Sequence, residues 1–188
     1  MIQFARELAS AGVTLLQYRN KSGSTREILS AGRELKRTIG SRARLIMNDR
    51  ADLCLAAGFD GVHLGQDDAS TEGTRRAIGS ERLIGRSTHN LEQALAAERS
   101  EADYVAIGPI FATRSKATPD PTVSIAGLKE IRTHVTKPLI AIGGITRENC
   151  ADVIAAGADS VAVISDLVGG SGGDSVAKRV EEFFRRLE

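Results

Sequence analysis

Cysteine is scarce in this chain, neither sign of charge is in excess, and no long apolar run occurs; each absence excludes a class of protein. The two cysteines, Cys54 and Cys150, have no CxxC partner, so neither a disulfide framework nor a zinc site is favoured. Both fall within helical patterns and read as reduced core thiols of a cytoplasmic protein. Lys and Arg number 25 against 24 Asp and Glu, a net charge of +1, which argues against a dedicated nucleic-acid or membrane surface. An anionic ligand must then be met by a local pocket. The opening Met1-Ile2-Gln3-Phe4-Ala5-Arg6-Glu7 is neither a basic-then-apolar signal nor a membrane span, and reads as a helix already under way. No Pro/Gly/Ser linker interrupts the chain before its tail. With 188 residues, 41% of them hydrophobic, the expectation is one domain over 1–188 with a full core.

What is present is an alternation of strand and helix patterns, with strands expected near 13–18, 44–48, 61–65, 83–88, 104–108, 138–142 and 160–165. Such βα units build a parallel sheet. One joint recurs along the chain: Ala11-Gly12-Val13, Ala57-Gly58-Phe59-Asp60-Gly61-Val62, Glu101-Ala102-Asp103-Tyr104-Val105 and Ala156-Gly157-Ala158-Asp159-Ser160-Val161. Each reads as a helix end, three times at a Gly suited to a left-handed cap, followed at once by a strand. Four strand–helix–strand units make the α/β TIM (β/α)8 barrel. The first unit should then have a strand immediately before residue 3, so the expected barrel lacks its first strand. A true loss and a start placed too far downstream explain this equally, and an open or partner-completed barrel stays in view.

Active sites of such barrels lie at the carboxyl ends of the strands. Two tips carry acids: Asn48-Asp49 after Leu45-Ile46-Met47, and Gln66-Asp67-Asp68 after Gly61-Val62-His63-Leu64. A parallel sheet places these tips side by side, where oxygen ligands suit Mg2+; either cluster alone reads equally well as helix caps or turns. At the tip Gln17-Tyr18-Arg19-Asn20-Lys21, alternation puts Gln17, Arg19 and Lys21 on one side and Tyr18 on the other. Ser87-Thr88-His89 offers hydroxyls for a phosphate or amine, while Thr88 or Asn90 could equally cap the next helix. The stretch from Ile110 to Pro119 has no apolar periodicity and holds Thr113, Arg114, Ser115 and Lys116, residue types that suit a phosphate-binding loop and equally a solvated basic one. Gly143-Gly144 follows the seventh strand of the full count and Ile164-Ser165 closes the eighth, the two loops that frequently bind phosphate in these barrels. No Ser/His/Asp or Cys/His arrangement is evident.

Six of these segments in order resemble thiamine phosphate synthase: Leu16 to Lys21, Met47-Asn48-Asp49-Arg50, Gly61 to Asp68, Gly85-Arg86-Ser87-Thr88-His89, Gly108 to Lys116, and Ala141-Ile142-Gly143-Gly144-Ile145. The resemblance implies a Mg2+-dependent transferase that joins an aminopyrimidine diphosphate to a thiazole phosphate. It implies Asp49 and Asp68 as the metal ligands, with Asp67 the competing position. Gln17, Arg19, Lys21, Asn48, Ser87 and Lys116 would bind the pyrimidine diphosphate, with Tyr18 and Asn20 at the same tip. Thr113, Ser115, Gly144, Ile164 and Ser165 would take the thiazole phosphate, with Arg114 a further substrate-binding residue of the same loop. Lys116, Arg19, Lys21 and Ser87 would carry the catalysis, by stabilising charge on a departing diphosphate. Its partners would be small molecules, with no nucleic acid or membrane and with a homo-oligomer left open. Asn20 stands where an acidic residue is common, and Arg114-Ser115 varies the usual loop. A thiazole tautomerase of the same superfamily and a non-catalytic precursor-binding paralogue are the competing classes.

Overall fold

A computed structural model describes residues 1–113, 121–168 and 174–187, and divides the chain into two compact units, Met1–Gly85 and Arg86–Glu188. Strands and helices alternate through both, as the sequence pattern requires of an α/β fold.

The first unit opens with helix α1 (Ile2–Ser10) and continues through β1 (Leu15–Tyr18), α2 (Thr25–Ile39), β2 (Arg44–Asn48), α3 (Ala51–Ala57), β3 (Gly61–Leu64) and α4 (Thr71–Ile78). Helix α2 starts at a capping box: the Ser24 hydroxyl accepts the Glu27 N–H at 3.3 Å, and Glu27 accepts the Ser24 N–H at 2.8 Å. Its Gly32 faces Ala57 on α3, where an added Cβ would lie 3.2 Å from the Ala57 Cβ, so the two helices pack closely. Strand β1 pairs parallel with β2, Leu15 to Arg44 and Tyr18 to Met47, and β2 with β3, Ile46 to Gly61 and Asn48 to His63. This register sets the tips of β2 and β3 level. All four residues of β3 are buried, as for a parallel strand covered on both faces. Leu45, Met47, Val62, Leu64, Phe59 and Tyr18 belong to one apolar cluster. The expected first strand begins two residues late, because Val13 donates its N–H to Leu8 and still belongs to the exit from α1.

Strand β4 (Leu83–Thr88) carries the chain into the second unit. There follow α5 (Leu91–Glu98), β5 (Tyr104–Ile107), α6 (Ser124–Arg132), β6 (Leu139–Ile142), α7 (Cys150–Ala155), β7 (Ser160–Ala162), α8 (Ser165–Val168) and α9 (Val176–Leu187). Asn90, not Thr88, caps α5 by accepting the Gln93 N–H at 2.9 Å; the Thr88 hydroxyl donates instead to the Ala106 carbonyl at 3.0 Å. Strand β5 pairs parallel with β6, and β6 with β7, over a core that includes Val105, Ile107, Leu139 and Ala141. One expectation needs correcting. The strand expected over 160–165 ends at Ala162, and Ser165 does not close it but opens α8. The Asp166 carboxylate is drawn to Arg147, and the chain leaves the ladder to reach it.

The repeated joints have a physical cause beyond helix capping. Gly58 takes the left-handed conformation at φ 69°, ψ 34° that ends α3, and the next turn delivers Asp60. The Asp60 carboxylate accepts the Leu45 N–H at 2.8 Å and the Lys36 ammonium at 2.7 Å, while its own N–H donates to the Leu45 carbonyl. Asp159 repeats this in the second unit, accepting the Leu139 N–H at 2.7 Å and the Arg132 guanidinium at 2.8 Å. Each aspartate thus ties the entry of its own strand to the entry of the strand before it.

Candidate active site

The tips of β1, β2 and β3 assemble a charged cluster in the first unit. Tyr18 turns its ring into the core, 6.5 Å from the Phe59 ring, and its neighbours Gln17 and Arg19 are exposed, as alternation requires. Asn20 shapes the following loop: its side-chain oxygen accepts the N–H groups of Ser22 at 3.2 Å and Gly23 at 2.9 Å. That turn presents Lys21, whose ammonium lies 2.9 Å from the Asp49 carboxylate.

Asp49 is bent out of the strand. Its N–H still bonds the His63 carbonyl at 2.8 Å, but its φ is 63°, a left-handed value uncommon for any residue but Gly and best tolerated by Asn and Asp. Such a conformation costs on the order of 1–3 kcal/mol and is characteristic of functional positions. Here it points the carboxylate at Lys21 and toward Asp68, close enough for each carboxyl to shift the pKa of the other. Asp68 is held in turn by the Gly65 N–H at 2.6 Å. Asp67 is exposed, so the structure brings Asp68 to Asp49 and leaves Asp67 at the surface.

The electrostatics of the pair follow. Burial raises the Asp49 pKa, but hydrogen bonds from Lys21 and Asp68 outweigh it and hold the carboxyl below its ordinary value. Asp68 goes the other way: burial and the charge on Asp49 push it up against the pull of the Gly65 N–H. Two carboxylates in contact share a proton unless a cation relieves their repulsion. Among the described residues no group of three His, Cys, Asp or Glu could cage a metal, and at these tips the described residues offer two carboxylates. That donor set fits Mg2+, which takes one or two carboxylates and fills its octahedron with water and substrate phosphate. Asn48, beside Asp49, completes the tip and helps to hold the Asp49 carboxyl below its ordinary value.

In the second unit, Ser87 is buried on β4 and the His89 ring is braced by its Nδ1 contact to the Gly108 carbonyl at 2.6 Å. The loop after β6 turns at Gly143 and Gly144, with φ of 89° and 69°. Glycine here answers a packing demand: a Cβ on Gly144 would sit 2.7 Å from the Phe111 Cβ and 2.8 Å from the Ala112 carbonyl oxygen. The turn therefore lies directly against the segment leading to Thr113. Asn149 braces it, donating to the Gly144 carbonyl at 3.1 Å and accepting the Thr146 N–H at 2.9 Å. Ile164 and Ser165 are exposed just beyond β7. Arg114, Ser115 and Lys116 lie outside the described residues. Sequence reasoning missed Asn149, Arg147 and Asp166. The last two stand 19 residues apart, and their only signals are a cation just past a Gly-Gly turn and an acid just past Ser165.

The family model described as thiamine monophosphate synthase matches residues 1–167. A thiamine-phosphate synthase of Koribacter versatilis is 61% identical over 168 residues, which span 89% of this chain and 80% of that protein. One from Chloroflexus aurantiacus is 49% identical over 159 residues, 84% of this chain and 73% of the relative. Among solved structures, the thiamine phosphate pyrophosphorylase of Pyrococcus furiosus superposes with a TM-score of 0.88 at 34% identity, covering 99% of this chain and 88% of that one. The phosphoribosyl anthranilate isomerase of Thermus thermophilus superposes with a TM-score of 0.73 at 19% identity over 100% of this chain and 94% of its own, a likeness of fold alone. The fold is thus α/β and TIM-barrel-like, and the chain belongs to the thiamine monophosphate synthase family.

Proposed function

We propose that this chain is a Mg2+-dependent thiamine phosphate synthase in which residues 1–188 act as one catalytic domain, working in the cytoplasm on two soluble substrates. The observation that carries the reading is the Asp49, Asp68 and Lys21 cluster at the strand tips, in a chain of this family. Asp49 and Asp68 would hold Mg2+, which would supply countercharge to a diphosphate and make it a better leaving group. Lys21, Arg19 and Lys116 meet the remaining phosphate oxygens, and Gln17, Asn48 and Ser87 hold the aminopyrimidine. Tyr18 anchors the β1 tip in the core, and Asn20 shapes the loop that carries Lys21. Thr113, Ser115, Gly144, Ile164 and Ser165, with Arg114 beside them, receive the thiazole phosphate.

The bond between the pyrimidine methylene carbon and the diphosphate oxygen breaks with its electron pair going to the diphosphate. The amino-substituted ring spreads the resulting positive charge. The lone pair of the thiazole nitrogen then forms the new C–N bond, giving thiamine phosphate and pyrophosphate. Neither step needs a nucleophile or a proton transfer from the protein, which accords with a tip set built of cations, carboxylates and hydroxyls. A tautomerase handling only the thiazole phosphate would have no use for the carboxylate pair.

Purified protein incubated with both substrates should make thiamine phosphate with Mg2+ and none with excess EDTA. Well-folded protein that binds thiazole phosphate but forms no product with Mg2+ would overturn the reading in favour of a non-catalytic binder.

A further inference from the structure

We infer that Arg147 is a positioning residue for the thiazole phosphate, setting Gly144 against Ser165 through the single carboxylate of Asp166. The inference rests on the proposed role of Gly144 and Ser165 as phosphate contacts. Arg147 lies three residues beyond Gly144, and Asp166 directly follows Ser165. The Arg147 backbone N–H donates to Asp166 Oδ2 at 2.9 Å, its Nε to the same oxygen at 3.0 Å, and its Nη2 to Oδ1 at 3.4 Å. One carboxylate thus grips both the backbone and the side chain of the loop after β6. A lone side-chain ion pair could swing on its torsions; a backbone N–H on the same oxygen fixes the loop itself.

The clamp is backed from α9. Glu182 accepts from Arg147 Nη1, and Asp174 Oδ2 lies 3.9 Å from the same nitrogen while its Oδ1 takes the Lys178 ammonium at 2.7 Å. All of these side chains except Lys178 are at most 29% exposed, so solvent screens them only in part. The arrangement also has an electrostatic consequence. A bare carboxylate next to a phosphate-contacting hydroxyl would repel the ligand, and the guanidinium that Asp166 shares with Glu182 offsets part of that charge. Asn149 fixes the remaining stretch from Gly144 to Thr146, so the whole turn is held from two sides.

The test compares Arg147→Met, Arg147→Lys, Asp166→Asn and Ser165→Ala in full-length protein, measuring kcat, KM for each substrate and the urea midpoint. For Arg147→Met, KM for thiazole phosphate should rise about tenfold or more, while KM for the pyrimidine diphosphate moves less than about twofold. Arg147→Met keeps only the backbone N–H, whereas Arg147→Lys keeps a cation as well and should recover part of the loss. Unchanged KM for thiazole phosphate, or a parallel rise in both KM values tracking the urea midpoint, would overturn the inference. Ser165→Ala separates the two levels. If it raises the thiazole phosphate KM while Arg147→Met is silent, the clamp alone falls; if it leaves that KM unchanged, the phosphate reading falls and the clamp with it. Should Arg147→Met not fold, Arg147→Lys and Asp166→Asn carry the same KM comparison.

Discussion

At the scale of single residues, Asp49 carries a local backbone cost at the proposed metal site. It sits at φ 63°, touches a second carboxylate and meets Lys21, three features that a helix cap has no need of. Asparagine tolerates the left-handed region at least as well as aspartate, so Asp49→Asn should leave the backbone in place. The exposed Lys21 partner contributes little to stability, and the substitution also relieves the like-charge contact with Asp68. The expected outcome is loss of Mg2+-dependent turnover by about a hundredfold or more, with an unchanged or slightly higher urea midpoint. A fall in turnover matched by a fall in the midpoint would instead mark Asp49 as a structural residue. Cys54 is a contrasting case. Burial pushes its thiol up to about 11, so at pH 8 only about one molecule in a thousand carries the reactive thiolate. Native protein should therefore resist alkylation at Cys54, and the same reagent in 8 M urea should label it, as read by mass spectrometry of the peptide.

At the scale of elements, the joint between helix and strand explains why the sequence repeats. The pattern of Gly, a small or apolar residue and Asp looked like a capping signal, and the Gly does cap α3. The aspartate has the wider reach, since Asp60 holds the Leu45 N–H near the start of the neighbouring β2 and the Lys36 ammonium of α2 together. Removing it orphans the Leu45 N–H at a residue only 1% exposed. Asp60→Ala should cost about 1–3 kcal/mol in urea unfolding, the penalty for one unsatisfied buried donor. Asp60→Asn keeps an acceptor for that N–H and should lose less. If both substitutions lose equally, the ion pair with Lys36, not the backbone bond, is the source of stability.

At the scale of the molecule, what was legible in the sequence followed periodicity, and what was hidden depended on distance. Buried runs such as Gly61 to Leu64 located the strands, and the parallel order then placed Asp49 level with the β3 tip. Alternation sorted Tyr18 from Gln17 and Arg19. The end of the last strand was misjudged because Val161 to Ile164 is apolar enough to extend it, while the contact that ends it comes from Arg147, far back in the chain. Long-range ion pairs leave no periodic trace, and the network around Arg147 shows its presence best through acid stability. Burial raises the Asp166 pKa, but the hydrogen bonds of Arg147 prevail and hold it below the ordinary 3.8; the Lys178 ammonium does the same for Asp174. A carboxyl with a depressed folded pKa stabilises the protein above its unfolded value, and that contribution disappears as pH falls through the folded one. Stability from this network should therefore be complete at pH 5 and above, and decline as the pH is lowered from 3.8. Urea midpoints measured from pH 6 down to pH 2.5 should show the decline, and Asp166→Asn, which has no proton to gain, should show a shallower one. Equal slopes for the two proteins would mean that the acid sensitivity arises elsewhere and that Arg147 holds Asp166 too weakly to shift its titration.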